Sequence, residues 1–552
     1  MAAAKRCRRA GVTPSREIAG GPCAAAAAPS AEEDVRIRRS VAFGVCVSRA
    51  QRNWVMVTVG VALLGCTLAS RLPSALNDAL WEDEIGAQHV IALPTLAGSL
   101  RQIVTHESTP PVYYVLARTV DRVAGALATE ARARIVRALS ILFSLGCTGL
   151  TFILALRLLP LWPAALAGFL ASLGAVLVVH GSELRAYSLF AFVSVLFALT
   201  LERAVAEPTR RRLSELACVV ALGSLTHYFF LFTLAAGALW LVVAETSRSV
   251  RRSVGAALLV GLIPLAAWSP AWIYQWRHGS YATTPPFSLD RFVEVVPSLF
   301  APQAVVSDTG LFLRTAATLA ILAPAILLLR RNEGRLVSLL TLVPLIAVSL
   351  VAWIAGERIF NTRNMIGVAP FAAIALAWGC ASLPWRRASL IVSGLVALLV
   401  AAGFAYGQAS LGRTPYERLA DDLRAQGLRN DEPIVWFGND GGIAPVTWYL
   451  TTRADTGIWP QFVLSTPTEG ACSAVQVVVR TDTGRHWLDD HRDGILEQSS
   501  TPSFGDRIQG KRGTDIIVAR LRWTDGSLDF PQHDRNRVIF HVAGSRLPCL
   551  RP

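Results

Sequence analysis

"PPVYYVLARTVDRVAGALATEARARIVR", Pro110 to Arg137, is the stretch on which the topology of this chain turns. At first sight it could cross a bilayer, yet it holds Arg118, Asp121 and Arg122. Its apolar residues Val112, Leu116, Val120, Val123 and Leu127 recur three and four apart. On a helix that spacing makes one greasy face rather than a greasy rod. Such a helix belongs in the membrane interface. The second span is then expected from about Arg137 to Arg157; read as a span itself, the stretch would move every later loop to the other side.

The rest of the chain sets that parity. Of 552 residues, 53% are hydrophobic and only 17% charged, with a mean hydropathy of +0.43. A soluble chain of this length rarely carries so few charges. Near-charge-free runs of roughly 17–25 residues recur, the length a bilayer core requires. This is the pattern of a polytopic α-helical membrane protein. The net charge of +14 is spread over short loops and the N-terminal tail, which writes membrane topology and argues against a nucleic-acid partner.

Four short loops, "ERAVAEPTRRR", "SRSVRR", "RRNEGR" and "PWRR", are Arg-rich and expected on the cytosolic side. The 35 residues between Arg212 and Arg248 must leave and return to that side. They therefore read as two short spans with a tight turn near "LTHYFF", which puts His227 at the outer surface. With Trp54–Ser70 as the first span, others near 137–157 and 161–180, a fourth returning inward to Glu202 after an outer "GSELRAYS", and further ones near 254–272, 311–329, 336–354, 364–383 and 388–407, the total is about eleven. Residues 1–53 read as a disordered basic cytosolic tail, 54–407 as the transmembrane domain with a long first outer loop at 72–135, and 408–552 as a small extracytoplasmic α/β domain. Strand-like "EPIVWFG", "AVQVVVR" and "DIIVAR" and helical "YERLADDLRAQG" support the last assignment. Cys472 and Cys549 fall in it, where a disulfide is one option and two free thiols the other. Cys66, Cys147, Cys218 and Cys380 lie inside apolar runs and read as small core residues.

This topology gathers the unusual ionisable residues at the outer membrane surface: Glu82, Asp83 and Glu84 of "WEDEIGAQHV", His106, Glu107, Glu183, Arg185, His227, Glu357, Arg358 and Arg363. Charge next to hydrocarbon is costly, so such residues are default candidates for function. Arginines suit an anionic group such as a phosphate, which their planar donor fork can grip. A carboxylate suits proton removal from an attacking hydroxyl. The bland readings stand beside these: arginines snorkelling to the interface, a helix-end histidine, and a solvated Glu82.

In this order the motifs resemble the GT-C fold glycosyltransferases that use polyprenyl-phosphate sugars, in the superfamily of protein O-mannosyltransferases and the aminoarabinose transferase of lipid A. The resemblance rests on "WEDE", "HESTPPVYY", "SELRAYSL", "LTHYFF" and "NTRNMIGVAP", and runs from about Trp54 to Tyr406. It implies a cell-membrane enzyme moving a sugar, with inversion, from a polyprenyl-phosphate donor to a lipid, glycan or protein acceptor. It implies Asp83 as the base and Glu84 beside it in the catalytic pair. Arg185, Arg358 and Arg363 would hold the donor phosphate, and His106, Glu107, Tyr113, Glu183, Tyr187 and His227 the substrates. No cofactor is firmly implied; a divalent metal ion at His227 with an acid is the one candidate. Two positions depart from the family pattern: Val112 replaces a Leu, and Asn364 stands where Tyr is common. The other readings are a transporter or flippase of lipid-linked sugars, although internal repeats and broken midplane helices are not evident, and an inactive scaffold with a partner-binding outer domain.

Overall fold

The computed structural model describes residues 49–278, 284–410, 416–417, 420–421, 434–437, 448–449, 474–480, 503–504, 516–522 and 537–540. Helix α1 (Arg49–Asn77) leads into three short helices, α2 (Glu82–Ala92), α3 (Leu96–His106) and α4 (Val112–Val123), and then the long α5 (Thr129–Leu158). Next come α6 (Leu161–Leu173), α7 (Ala175–Val179), α8 (Tyr187–Ala206), α9 (Arg210–Ser224), α10 (Phe230–Val243), α11 (Arg248–Gly261) and α12 (Ile263–His278). The remainder of the helical part is α13 (Leu289–Val295), α14 (Gln303–Ser307), α15 (Leu311–Leu328), α16 (Arg335–Ile354), a 3-10 stretch at Arg363–Val368, α17 (Ala369–Ala381) and α18 (Arg386–Ser410).

Helix α4 occupies the first part of the stretch at Pro110–Arg137. It has only 12 residues, too few to span, and turns Tyr113, Tyr114, Ala117 and Asp121 into the protein. Leu116, Val123 and, beyond the helix end, Leu127 are exposed. Val112 and Val120, from the same apolar stripe, are half-buried against the core, so the stripe is shared between the protein interior and the exposed surface of the helix. The following span begins earlier than its charges suggest: α5 starts at Thr129, with Arg137 buried inside it.

Among the described residues, seven helices are long and apolar enough to cross a membrane, and eight if α11 and α12, bent by 41° at their junction, make one span. The expected third span is broken at Gly174 into α6 and α7, and with α9 and α10 it falls short of that length. A Cβ on Gly174 would come within 2.7 Å of the Leu170 carbonyl and 3.2 Å of the Leu299 carbonyl, so the break is also a close backbone crossing.

The Arg-rich loops collect at one end of the bundle. Arg157 pairs with Glu202 at 3.0 Å, Asn332 reaches Glu245 at 3.1 Å, and the Arg331 guanidinium lies over the Trp378 ring at 5.6 Å. Exposed Trp162 and Trp385 mark this end, while exposed Tyr274, Trp276, Trp353 and Tyr406 mark the ends of α12, α16 and α18 opposite. Aromatic girdles of this kind sit at the two membrane–water interfaces. Cys147 and Cys380 are buried and Cys66 half-buried, but Cys218 is exposed on α9.

Beyond α18, the described residues include five strands: β1 (Ile434–Phe437), β2 (Ala474–Arg480), β3 (Ser503–Phe504), β4 (Ile516–Arg522) and β5 (Arg537–Phe540). They form one sheet in the order β3-β4-β2-β1-β5, in which β1 and β2 run parallel with Val435 opposite Val477 and the other pairs are antiparallel. Residues 416–417 and 420–421 of "YERLADDLRAQG" are helical. The N-terminal tail and the Cys472 and Cys549 question lie outside the described residues.

Candidate active site

The site forms at the end of the bundle opposite the Arg-rich loops, around the N-terminus of α2. The three acids Glu82, Asp83 and Glu84 occupy the first turn of that helix, where the helix dipole favours negative charge. Their side chains then diverge. Glu82 is exposed.

Glu84 turns inward and is fully buried. Its carboxylate meets Arg137 in a two-pronged pair at 2.8 and 2.6 Å and accepts the Leu184 N–H at 2.8 Å. Arg137 also donates to the carbonyls of Asp78 at 2.6 Å and Ala79 at 3.1 Å. With side chains 0% and 1% exposed, this pair has no opening for a substrate. Glu84, expected beside the base, instead ties α2 to α5 and to the loop before α8.

Asp83 stays at the surface of the cluster. Its carboxylate accepts from Arg363 at 2.7 Å, and its backbone carbonyl accepts from Arg185 at 3.2 Å. The Asp83 and Arg363 side chains are 27% and 31% exposed, so a ligand can reach both. Arg185, almost wholly buried, pairs with Glu107 at 2.9 Å. Glu107 is held in turn by the Tyr114 hydroxyl at 2.6 Å, which shares a 2.9 Å hydrogen bond with Thr109. Burial pushes the Tyr114 phenol well above its ordinary value, and the Glu107 charge adds to this against Arg185, so the phenol remains a donor. Burial alone would lower Arg185, but Glu107, Tyr114 and Asp83 outweigh it and hold the guanidinium well above the usual arginine value. It stays charged.

His227 sits in the turn between α9 and α10. Its ring stacks on Phe190 with centroids 4.8 Å apart, and its Nδ1 accepts the Phe229 N–H at 3.3 Å. Burial, with Arg185 and Arg363 adding to it, lowers its pKa to about 3. The ring is neutral, and the occupied Nδ1 places its one hydrogen on Nε2. Two cations nearby and an Nδ1 already engaged do not suit a metal ion. Among the described residues no group of three or more His, Cys, Asp or Glu side chains could hold one. Tyr187 lies between His180 and His227, with ring centroids 5.1 and 5.8 Å away.

The remaining expected residues divide. Glu183 is buried and pairs with His180 at 2.7 Å. Tyr113 is buried with its hydroxyl on Ser140 at 2.9 Å, so it packs the core while its neighbour Tyr114 serves the site. His106 is exposed and bonded to Thr105 at 2.6 Å. Arg358 is exposed in the loop after α16. Asn364 donates to the Ile359 carbonyl at 2.8 Å, which shapes the loop that presents Arg363. Tyr114 and Arg137 were not singled out from sequence. Adjacent positions on a helix face different directions, so Tyr114 could have been weighed beside Tyr113; the burial of Arg137 is set by packing and has no local signal.

No family description matches the sequence, and no curated protein does. Solved structures do match. The chain resembles ArnT from Cupriavidus metallidurans in its apo state, with a TM-score of 0.50 at 13% identity, over 85% of this chain and 98% of that one. The same protein bound to undecaprenyl phosphate matches with a TM-score of 0.47 at 13% identity, over 86% and 98%. The archaeal oligosaccharyltransferase AglB from Archaeoglobus fulgidus, in complex with an inhibitory peptide and a dolichol-phosphate, matches with a TM-score of 0.42 at 14% identity, over 77% and 62%. The apo ArnT match makes the fold of this chain similar to that of ArnT.

Proposed function

We propose that this chain is a membrane glycosyltransferase that moves a sugar from a polyprenyl-phosphate donor to an acceptor hydroxyl at the cell envelope. One observation carries the reading. Asp83, Arg185 and Arg363, 102 and 280 residues apart along the chain, meet in a single half-open cluster at one end of the bundle. A carboxylate beside two guanidinia is what transfer from a phosphate-linked sugar calls for.

In this reading the donor's prenyl tail lies in the bilayer and its phosphate against Arg363 and Arg185. The acceptor oxygen attacks the anomeric carbon from the face opposite the phosphate, and the bond from that carbon to the phosphate oxygen breaks. The acceptor proton goes to Asp83. Negative charge grows on the departing polyprenyl phosphate, where Arg363 and Arg185 stabilise it. The Nε2–H of neutral His227 suits a further donor to the same anion. Glu107 and Tyr114 keep Arg185 aimed. Glu84 takes no part in proton transfer, and the site is proposed to lie on the outer face, with the Arg-rich loops cytosolic.

The test is mass spectrometry of envelope glycans and glycolipids from a strain lacking the chain. A missing sugar, restored by the parent and not by Arg363→Gln, is the expected result. An unchanged glycan profile with lipid-linked sugar accumulating on the inner face would replace the enzyme with a flippase.

A further inference from the structure

The four residues leading into the Asp83 helix carry no regular secondary structure, yet they are pinned from two sides. From inside the bundle, Arg137 donates to the Asp78 and Ala79 carbonyls. The N–H of Leu80, itself buried, donates elsewhere: to the phenol oxygen of Tyr449, 369 residues further along the chain, at 2.7 Å. Tyr449 is 1% exposed and packs edge-on against buried Trp448, with ring centroids 4.8 Å apart. Tyr416 and Ala420 are buried in the same core, and Glu417 reaches Arg134 of α5 at 3.6 Å. Tyr416, Ala420, Trp448 and Tyr449 therefore join the buried core, with Tyr449 at the base of the candidate site.

The geometry points to Tyr449 as a positioning residue: its phenol oxygen fixes the Leu80 backbone and, through it, the first turn of α2 with Asp83. No other acceptor is recorded for the Leu80 N–H among the described residues. A buried N–H without a partner is costly, so the turn would shift to find one. Leu80 is three residues before Asp83, and a shift there alters the alignment of Asp83 with Arg363. This inference rests on the glycosyltransferase reading for its catalytic consequence only; the clamp itself is structural.

The test is Tyr449→Phe, which removes one oxygen and keeps the ring. Hydrogen exchange on the full-length protein in detergent or nanodiscs reads the clamp without any substrate. Amides of residues 78–84 should exchange roughly five- to a hundredfold faster, the range for an unmade buried hydrogen bond, while the far end of the bundle is unchanged. Glu417→Gln, which loosens the contact with Arg134 and leaves the phenol in place, should not alter residues 78–84. Unchanged exchange in Tyr449→Phe, or an equal rise in both variants, overturns the inference. In a transfer assay Tyr449→Phe should lower kcat about tenfold at unchanged donor KM; equal loss in both parameters would make the tyrosine a general stability element. A parent protein with no transfer activity would remove the glycosyltransferase reading and leave the exchange result standing.

Discussion

At the scale of residues, neighbours in sequence have been sent to different tasks. Glu84 and Asp83 are adjacent, yet one is sealed against Arg137 and the other faces Arg363. A helix turns about 100° per residue, so only one of two adjacent acids can face a given partner. The same geometry separates Tyr113 from Tyr114. His227 yields a prediction about pH. The folded protein keeps its ring neutral down to about pH 3, whereas the unfolded chain takes up a proton below about 6.5. Between these values the unfolded state binds more protons, so this residue's contribution to stability is lost as pH falls from about 6.5 toward 3. The melting temperature of His227→Gln should therefore fall less steeply than the parent's between about pH 6.5 and 4.5, followed by thermal unfolding in detergent. Equal slopes would mean that the ring is not held neutral.

At the scale of elements, the site depends on short pieces that interrupt the bundle. The break between α6 and α7 lets "GSELRAYS" fold back over α1. Gly181 is packed so closely there that a Cβ would lie 2.1 Å from the Leu177 carbonyl, 2.6 Å from Arg71 Nε and 2.7 Å from Ser144 Oγ. A backbone carbonyl cannot yield as a side chain can. Gly181→Ala should cost about 1–3 kcal/mol, measured by thermal unfolding, and should shift the loop that holds Arg185. A variant as stable as the parent would show the contact to be slack. Much of this level was legible in the sequence. The Arg-rich loops fall together at one end of the helices, and the three-and-four spacing at Val112–Leu127 marked a short helix rather than a span. The break at Gly174 was not legible, because "LLPLWPAALAGFLASLGAVLVVH" is apolar on both sides of it and only tertiary crossing decides where it bends.

At the scale of the molecule, contacts between distant parts of the chain were the least legible. Asp83, Arg185 and Arg363 could be assigned to one end of the bundle from loop charge, but their meeting depends on packing. The Arg137–Glu84 pair and the Tyr449–Leu80 bond left no local signal, since neither residue in each pair announces its partner. Removing one member of a buried pair strands the other's charge. Arg137→Met should cost about 3–5 kcal/mol, while Arg134→Met, whose pair with Glu130 is more open, should cost about 1 kcal/mol or less. Chemical or thermal unfolding of both in the same detergent compares them, and equal losses would contradict the role given to Arg137. The central claim is that Asp83 removes the acceptor's proton beside two phosphate-holding arginines. It is tested most directly by single-turnover transfer from the polyprenyl-phosphate sugar identified in the deletion strain, comparing the parent with Asp83→Asn. Asparagine can still accept from Arg363, so folding and donor binding should persist while the transfer rate falls about a hundred- to ten-thousandfold. Transfer at the parental rate by a folded Asp83→Asn protein would contradict it.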